Sequence, residues 1–287
     1  MQNIGFIGTG IMGAAMVRNL MQAGFSVTVN TRTKEKADAL LAEGAYWANS
    51  IAACVKDKDA VITIVGYPQD VEQVYFGKAG ILENADKNSL LIDMTTSRPQ
   101  LAERIYTAAG EYGLFALDAP VTGGEPKAVA GALTIMAGGD KAAFDRAMPL
   151  FSAMGENIRY LGKAGNGQHC KMANQIGIAG ALSGVCEALA YANAVGLNAQ
   201  QTFDTIKTGS AQSTQMELMG SKIITHDDSP SFYLKHIRKD LQIAMDELEA
   251  RQSELPMAKF VCNAYAELEQ QGFGDCGSQS LYRFYER

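Results

Sequence analysis

The stretch Asn3-Ile4-Gly5-Phe6-Ile7-Gly8-Thr9-Gly10-Ile11-Met12-Gly13-Ala14-Ala15 decides the fold. Ile4–Ile7 is a short apolar run of strand character, and it ends in Gly8, Gly10 and Gly13, a G-x-G-x-x-G. A helical pattern follows, with Ala14, Ala15, Val17, Leu20 and Met21 apolar. Each glycine has a separate task in such a loop. Gly8 makes the tight turn, Gly10 lets the backbone come close to a pyrophosphate, and Gly13 lets helix and strand pack together. The uncompensated N–H groups at the helix start then hold the anion. Gly8, Thr9, Gly10, Ile11, Met12 and Gly13 are therefore the candidate phosphate-binding residues. The plain alternative, a glycine-rich turn, does not account for a strand before the motif and a helix after it.

The end of the second apolar run bears on which dinucleotide is held. A carboxylate there would bind the ribose 2′-hydroxyl of NAD. The chain instead reads Val29-Asn30-Thr31-Arg32-Thr33-Lys34, with no acid before Glu35. Thr31 and Thr33 can donate to a 2′-phosphate and Arg32 can pair with it. This favours NADP, with NAD as the second option; a solvated basic turn is the structural alternative.

Further along, the β-rich runs recur at Val27–Val29, Ala60–Val65, Leu90–Ile92, Phe115–Leu117, Leu133–Met136 and Ile158–Leu161. Helical stretches such as Met12–Ala23, Glu35–Glu43 and Gln100–Glu111 separate them. That alternation predicts an α/β, mostly parallel sheet with helices on both faces. Past residue 162 the pattern becomes helical, over 166–195, 199–208, 214–223, 234–250 and 256–271. In the first of these Ile178, Leu182, Val185 and Leu189 form one apolar stripe, while Gly177, Gly180 and Gly184 keep other faces small. A helix of ~30 residues is roughly 45 Å long. The expected boundary lies in the turn Gly162–Gly167, dividing the chain into 1–162, a dinucleotide-binding domain, and 163–287, a helical substrate and oligomerisation domain.

Composition removes several function classes. A net charge of −6 without a basic run argues against a nucleic-acid partner. Five cysteines, none in C-x-x-C spacing, read as reduced thiols of a cytoplasmic protein. The three histidines show no metal-ligand spacing. The N-terminus lacks the basic region of a signal peptide, and no uninterrupted apolar run approaches the ~18 residues of a membrane span.

Four ordered motifs carry a resemblance across nearly the whole chain. The first is Gly8–Gly13, continued by Met16 and Asn19-Leu20. The second is Asp118-Ala119-Pro120-Val121-Thr122-Gly123-Gly124, which looks like D-x-P-V-S-G-G. The third, Gly165-Asn166-Gly167 through Lys171 to Asn174, matches G-x-G-x-x-x-K-x-x-N. The fourth, Lys239-Asp240-Leu241-Gln242-Ile243-Ala244, matches K-D-L-x-x-A. The chain thereby resembles the β-hydroxyacid dehydrogenase family, which includes 3-hydroxyisobutyrate dehydrogenase, tartronate semialdehyde reductase and glyoxylate/succinic semialdehyde reductase. The resemblance implies an N-terminal Rossmann domain with a doubly wound sheet. It also implies an all-α C-terminal domain joined through a long helix, and a site in the cleft between the domains.

On that footing, Lys171 and Asn174 are the catalytic candidates. Reducing a carbonyl by hydride transfer leaves charge on its oxygen, and a lysine ammonium can stabilise and protonate it. Asn174, three residues on, shares a helix face with Lys171. Burial and the helix N-terminus would both lower the lysine pKa. Thr122, Gly123 and Gly124 can grip a substrate carboxylate; Thr122 stands where the family usually has Ser, so a methyl narrows the pocket. Asp93-Met94-Thr95-Thr96-Ser97-Arg98-Pro99 resembles the family's D-x-S-T-x-x-P loop, which places Thr96 by the nicotinamide. Ser97 and Pro99 also read as an N-cap and a first helical proline. The resemblance assigns Lys239 to the cofactor side, against a solvated helix pair with Arg238 as the alternative. Phe232 is either a hydrophobic wall for substrate or core packing. Tyr191 and Met245 are read as core.

The reading is an NADPH-dependent reductase of a short semialdehyde or 2-oxo acid, reversible as a 3-hydroxyacid dehydrogenase. Its partner is a small anionic substrate, with no nucleic acid and no membrane, and the Gly/Ala-rich helical half predicts a homodimer or homotetramer. The rival is a non-catalytic NADP-binding sensor or scaffold. Lys171-Met172-Ala173-Asn174-Gln175 lacks the K-x-x-H-N of 6-phosphogluconate dehydrogenases, and the presence of Lys171 separates the chain from imine reductases.

Overall fold

A computed structural model describes residues 1–286. The chain separates into two compact units, Met1–Lys171 and a second from Met172 onward.

The first unit is built on a nine-stranded sheet. Its strands are β1 (Asn3–Ile7), β2 (Ser26–Asn30), β3 (Tyr46–Trp47), β4 (Ala60–Thr63), β5 (Leu90–Asp93), β6 (Phe115–Asp118), β7 (Val121–Thr122), β8 (Leu133–Gly139) and β9 (Gly155–Tyr160). The spatial order is β3-β2-β1-β4-β5-β6-β8-β7, with β9 pairing to β8. From β3 to β6 every pairing is parallel, in the 3-2-1-4-5-6 order of a doubly wound dinucleotide fold. β8 then runs antiparallel to both β6 and β7.

Alternation along the strands explains the two faces. Ala60, Ile62, Leu90 and Ile92 point into one apolar cluster with Met16, Val17 and Leu20 of the helix Ile11–Gln22. Val61 and Leu91, one residue out of phase, point into the other with Val71, Tyr75 and Ile105. Both faces are thus covered, which is why these strands read as continuous apolar runs.

The expected strands all form, and two were missed. β3 and β7 are two residues each, too short to show a period. The segment Glu35–Glu43 is a 3-10 turn (Lys34–Ala37) followed by a short helix (Asp38–Ala42). Arg98, not Ser97, is the cap residue of the helix Pro99–Glu111, and Pro99 occupies its first turn.

The second unit is helical: Ala199–Ile206, Thr214–Ile224, Leu234–Glu249 and Pro256–Gln270 pack with the greater part of the long helix Asn166–Ala194. Leu182, Val185 and Leu189 of the expected stripe are fully buried here, joined by Ala179 and Cys186, and Ile178 lies partly buried against them. Gly180 faces Met257 of the last helix, whereas Gly177 and Gly184 face open space. Tyr191 is not core: it is 68% exposed, beyond the reach of the buried stripe. Met245 is partly buried against the apolar cluster.

By length and composition the long helix could cross a bilayer, with mean hydropathy 1.2 over its most apolar 18 residues. Alanine, with Ile, Leu, Val and Cys, raises that mean, while glycines and polar residues interrupt the run. The helix also buries Gln168, Lys171, Gln175 and Ser183, and its apolar stripe fills the core of the second unit. That is the pattern of a core helix.

Candidate active site

The phosphate loop joins β1 to the helix Ile11–Gln22. Gly8 has φ +101°, and a Cβ there would lie 2.1 Å from the Ile64 carbonyl oxygen. A Cβ on Gly13 would lie 2.0 Å from the carbonyl oxygen of Gly8, so only glycine lets the helix seat on the loop. Gly10 differs: nothing lies within 4 Å of where its Cβ would be. Gly10 is the cap residue of a helix that has no side-chain cap and no acid in its first turn. Thr9 is buried, and its hydroxyl has no partner in the protein. An open approach at Gly10, an uncapped helix start and an orphaned hydroxyl fit the pyrophosphate of a dinucleotide.

At the end of β2, Asn30 is spent on structure, its Nδ2 donating to Ala48 O at 2.9 Å. Thr31 is half-buried, and Arg32 and Thr33 are exposed. Arg32 Nη1 is held 3.0 Å from Asp70 Oδ1, a pair absent from the expectation. Asp70 in turn accepts from Tyr67 N at 3.1 Å, so a carboxylate in the first turn of the helix Pro68–Phe76 tethers the arginine.

The loop after β5 is tied down through its neighbours. Thr63 Oγ1 and Thr95 N both donate to Asp93 Oδ1, at 2.9 and 3.1 Å. Ser97 N donates to Gln168 Oε1 at 2.9 Å, and Gln168 Nε2 donates to Thr95 O at 2.8 Å. Thr96 sits between these anchors, half-buried. The Ser97 hydroxyl is buried with no partner.

Lys171 is the last residue of the first unit. It is 7% exposed, and Nζ donates to Val121 O at 2.8 Å. The next residue along is Thr122, followed by Gly123 at φ +135° and Gly124 at φ +68°. Two successive residues at positive φ favour glycine, and they turn the backbone sharply after β7. The structure thus brings Lys171 and the start of the Thr122-Gly123-Gly124 turn together.

In the second unit, Asn174 Nδ2 donates to Gln175 Oε1 at 2.8 Å, and Gln175 Nε2 donates to Asp240 Oδ2 at 2.7 Å. Asp240 is 2% exposed and lies 3.1 Å from Lys239 Nζ. Arg238 points elsewhere, to Glu269, so Lys239 is not half of a solvated pair with it. Phe232 is half-buried against the apolar cluster and stacks on His236, ring centroids 6.2 Å apart. Burial, and then Lys239, push the His236 pKa down.

The sequence reading gave no role to Asp118, Gln168 or Gln175 and took Asp240 only as orienting charge beside Lys239; all four are buried polar groups that bridge one motif to another. The available signal was a polar residue at a position whose helical or strand period is inward.

Comparison with known proteins agrees with this geometry. A family model described as the NAD binding domain of 6-phosphogluconate dehydrogenase matches residues 3–162. A second, described as NAD-binding of NADP-dependent 3-hydroxyisobutyrate dehydrogenase, matches residues 165–285. The chain belongs to the β-hydroxyacid dehydrogenase family. Within that family it is 48% identical over 284 residues to an uncharacterized oxidoreductase of Bacillus subtilis, covering 99% of each chain. It is 37% identical over 253 residues to 2-hydroxy-3-oxopropionate reductase of Escherichia coli, covering 88% of this chain and 86% of that one. Among solved structures, Mycobacterium tuberculosis 3-hydroxyisobutyrate dehydrogenase with L-serine superposes at TM-score 0.90, with 29% identity and 100% of both chains covered. Like these β-hydroxyacid dehydrogenases, the protein is an NAD(P)-dependent oxidoreductase, which sets aside the non-catalytic module. Its cofactor is NADP or NAD.

Proposed function

We propose that the protein is an NADPH-dependent reductase of a short semialdehyde or 2-oxo acid, running in reverse as a 3-hydroxyacid dehydrogenase. The observation that carries this reading is the buried Lys171 ammonium at Val121 O, one residue before the Thr122-Gly123-Gly124 turn. A cation that close to a carboxylate-gripping turn suits a substrate bearing both a carboxylate and a carbonyl.

Gly8–Gly13 would hold the pyrophosphate, with Thr9 Oγ1 as a further donor. Thr31, Arg32 and Thr33 would hold a 2′-phosphate; the family description that names NADP supports this preference. Thr96 and Lys239 would line the cofactor. Bound NADPH supplies the hydride, from nicotinamide C4 to the carbonyl carbon. Lys171 Nζ gives a proton to the carbonyl oxygen as charge develops there, and is reprotonated from solvent. Asn174 orients the substrate or Lys171, and Thr122 with the Gly123 and Gly124 backbone holds the carboxylate. Phe232 would wall the pocket with apolar surface.

The test is NADPH consumption with glyoxylate, succinic semialdehyde and related aldehyde acids, NADH alongside. Turnover should fall at least 1,000-fold in Lys171→Ala, about 4 kcal/mol of transition-state stabilisation; equal turnover of wild type and variant sinks the reading. A homodimer or homotetramer is supported by exposed Tyr191 and Val195 beside the open Gly177 and Gly184 face; sedimentation tests it. Five unpaired cysteines suit a reducing, cytoplasmic setting.

A further inference from the structure

Asp118 ends β6 and is 3% exposed. Its two carboxylate oxygens reach into the start of the long helix: Oδ1 accepts from Gly165 N at 2.8 Å and Oδ2 from Gln168 N at 2.9 Å. A helix start normally takes its side-chain cap from the residue that immediately precedes it. Here the cap comes from a strand 47 residues away in sequence. The contact is backbone-tight, since a Cβ on Gly167 would lie 2.4 Å from Met136 O and 2.6 Å from Asp118 O. Three residues past Asp118, Val121 O accepts from Lys171 Nζ, which stands one turn further along the helix that Asp118 caps.

We propose that Asp118 is a positioning residue, whose ionised carboxylate clamps the first turn of the long helix and so sets where Lys171 Nζ stands. The inference rests on the reading of Lys171 as proton donor. Burial pushes the Asp118 carboxyl up to about 6, against the pull of its backbone hydrogen bonds, and Asp93 on the neighbouring strand pushes the same way. The other titratable groups facing this spot are Glu103, whose side chain packs at Gly165, Tyr106, which shares a small cavity with Asp93 and Asp118, and Lys171 itself. Once protonated, the carboxyl has one oxygen less to offer the two N–H groups, and the helix start loosens.

A clamp of this kind separates activity from stability, because the buried charge that places Lys171 costs the fold. In wild type, reductive kcat should rise as pH climbs from 5 to 7, with a limb near 6. Asp118→Asn should lower kcat at least tenfold and lose that limb. At pH 5, where wild-type Asp118 is itself largely protonated, its Tm should stay within about 4 °C of wild type, and NADPH binding should stay within threefold. Hydrogen-exchange protection of the Gly165 and Gln168 amides in wild type, corrected for intrinsic rate, should fall below pH 6. The inference is overturned by an Asp118→Asn kcat within twofold of wild type, by the same limb persisting in the variant, by kcat and Tm collapsing together, or by protection that ignores pH. If Lys171→Ala turns over like wild type, the underlying assignment of Lys171 has failed instead.

Discussion

Alanine substitutions at Gly10 and Gly13, three residues apart in one loop, should separate cofactor binding from stability. Gly13 lies inside the helix Ile11–Gln22, where alanine would normally stabilise by roughly 0.5–1 kcal/mol. Its Cβ, however, would sit 2.0 Å from a backbone oxygen and 3.1 Å from Ile64 Cγ2. Overpacking of this kind costs about 1–3 kcal/mol, and a carbonyl oxygen cannot swing aside as a side chain can. Gly13→Ala should therefore be net destabilising by roughly 1–2 kcal/mol, a Tm loss of about 2–8 °C. Gly10 has φ −69° and ψ −172°, which alanine adopts freely, and open space around it. Alanine there gains about 0.4–1 kcal/mol through the unfolded chain and gives back part of it as a poorer cap, so the apo Tm should barely move. Its methyl would occupy the anion's approach and displace one or two charge-assisted bonds, at about 1.5–3 kcal/mol each. NADPH should bind Gly10→Ala roughly ten- to hundredfold more weakly. Thermal unfolding without cofactor and NADPH fluorescence titration measure the two effects separately. A Gly13→Ala protein as stable as wild type, or a Gly10→Ala protein binding NADPH normally, refutes the division of labour between these glycines.

Arg32→Ala should raise KM for NADPH about tenfold, some 1.4 kcal/mol, and leave KM for NADH within twofold; parallel shifts would show that Arg32 does not read the 2′-phosphate. Asp118 makes its own contribution to pH-dependent stability. Its folded pKa, about 6, lies above the unfolded value of 3.8, so the folded state binds more protons in between. Stability from this group is full below pH ~4 and declines as pH rises through 6, by up to about 3 kcal/mol. Chemical denaturation of wild type against Asp118→Asn across pH 4–7 isolates it; a difference that grows in favour of wild type has the wrong sign. Asp240→Asn removes the buried carboxylate 3.1 Å from Lys239 Nζ, whose side chain is only 13% exposed. It should lower stability by about 2–4 kcal/mol, and an unchanged denaturation midpoint would show that the pair adds nothing.

Much of this was legible in the chain. Local features set the strands and helices: apolar runs of three or more residues, helical spacing, and glycines where a backbone had to turn or approach. Ile4–Ile7, the loop Gly8–Gly13 and the apolar stripe of the long helix all formed where their periods put them. The two-residue strands β3 and β7 did not show, since their partners in the sheet, not their own residues, make them strands. Ser97 looked like a cap because serine usually is one, but Gln168 takes its backbone N–H and the helix begins later. Tyr191 looked like core because it is apolar in a buried helix, yet it points away from the face on which Leu189 and Ala192 are buried.

By itself, then, the sequence determined that β1 leads through a glycine loop into a helix, that the first half is doubly wound α/β, and that Lys171 opens a long helix. Tertiary structure alone decided what holds each side chain in place. Asp118 and Gly165, Gln168 and Thr95, Arg32 and Asp70, and Gln175 and Asp240 are each far apart in sequence. Periodicity reports which face of an element is buried and is silent about the partner across the gap. A buried polar group must find that partner or bear the full cost of lost hydration, and its choice depends on the folded arrangement of the whole unit.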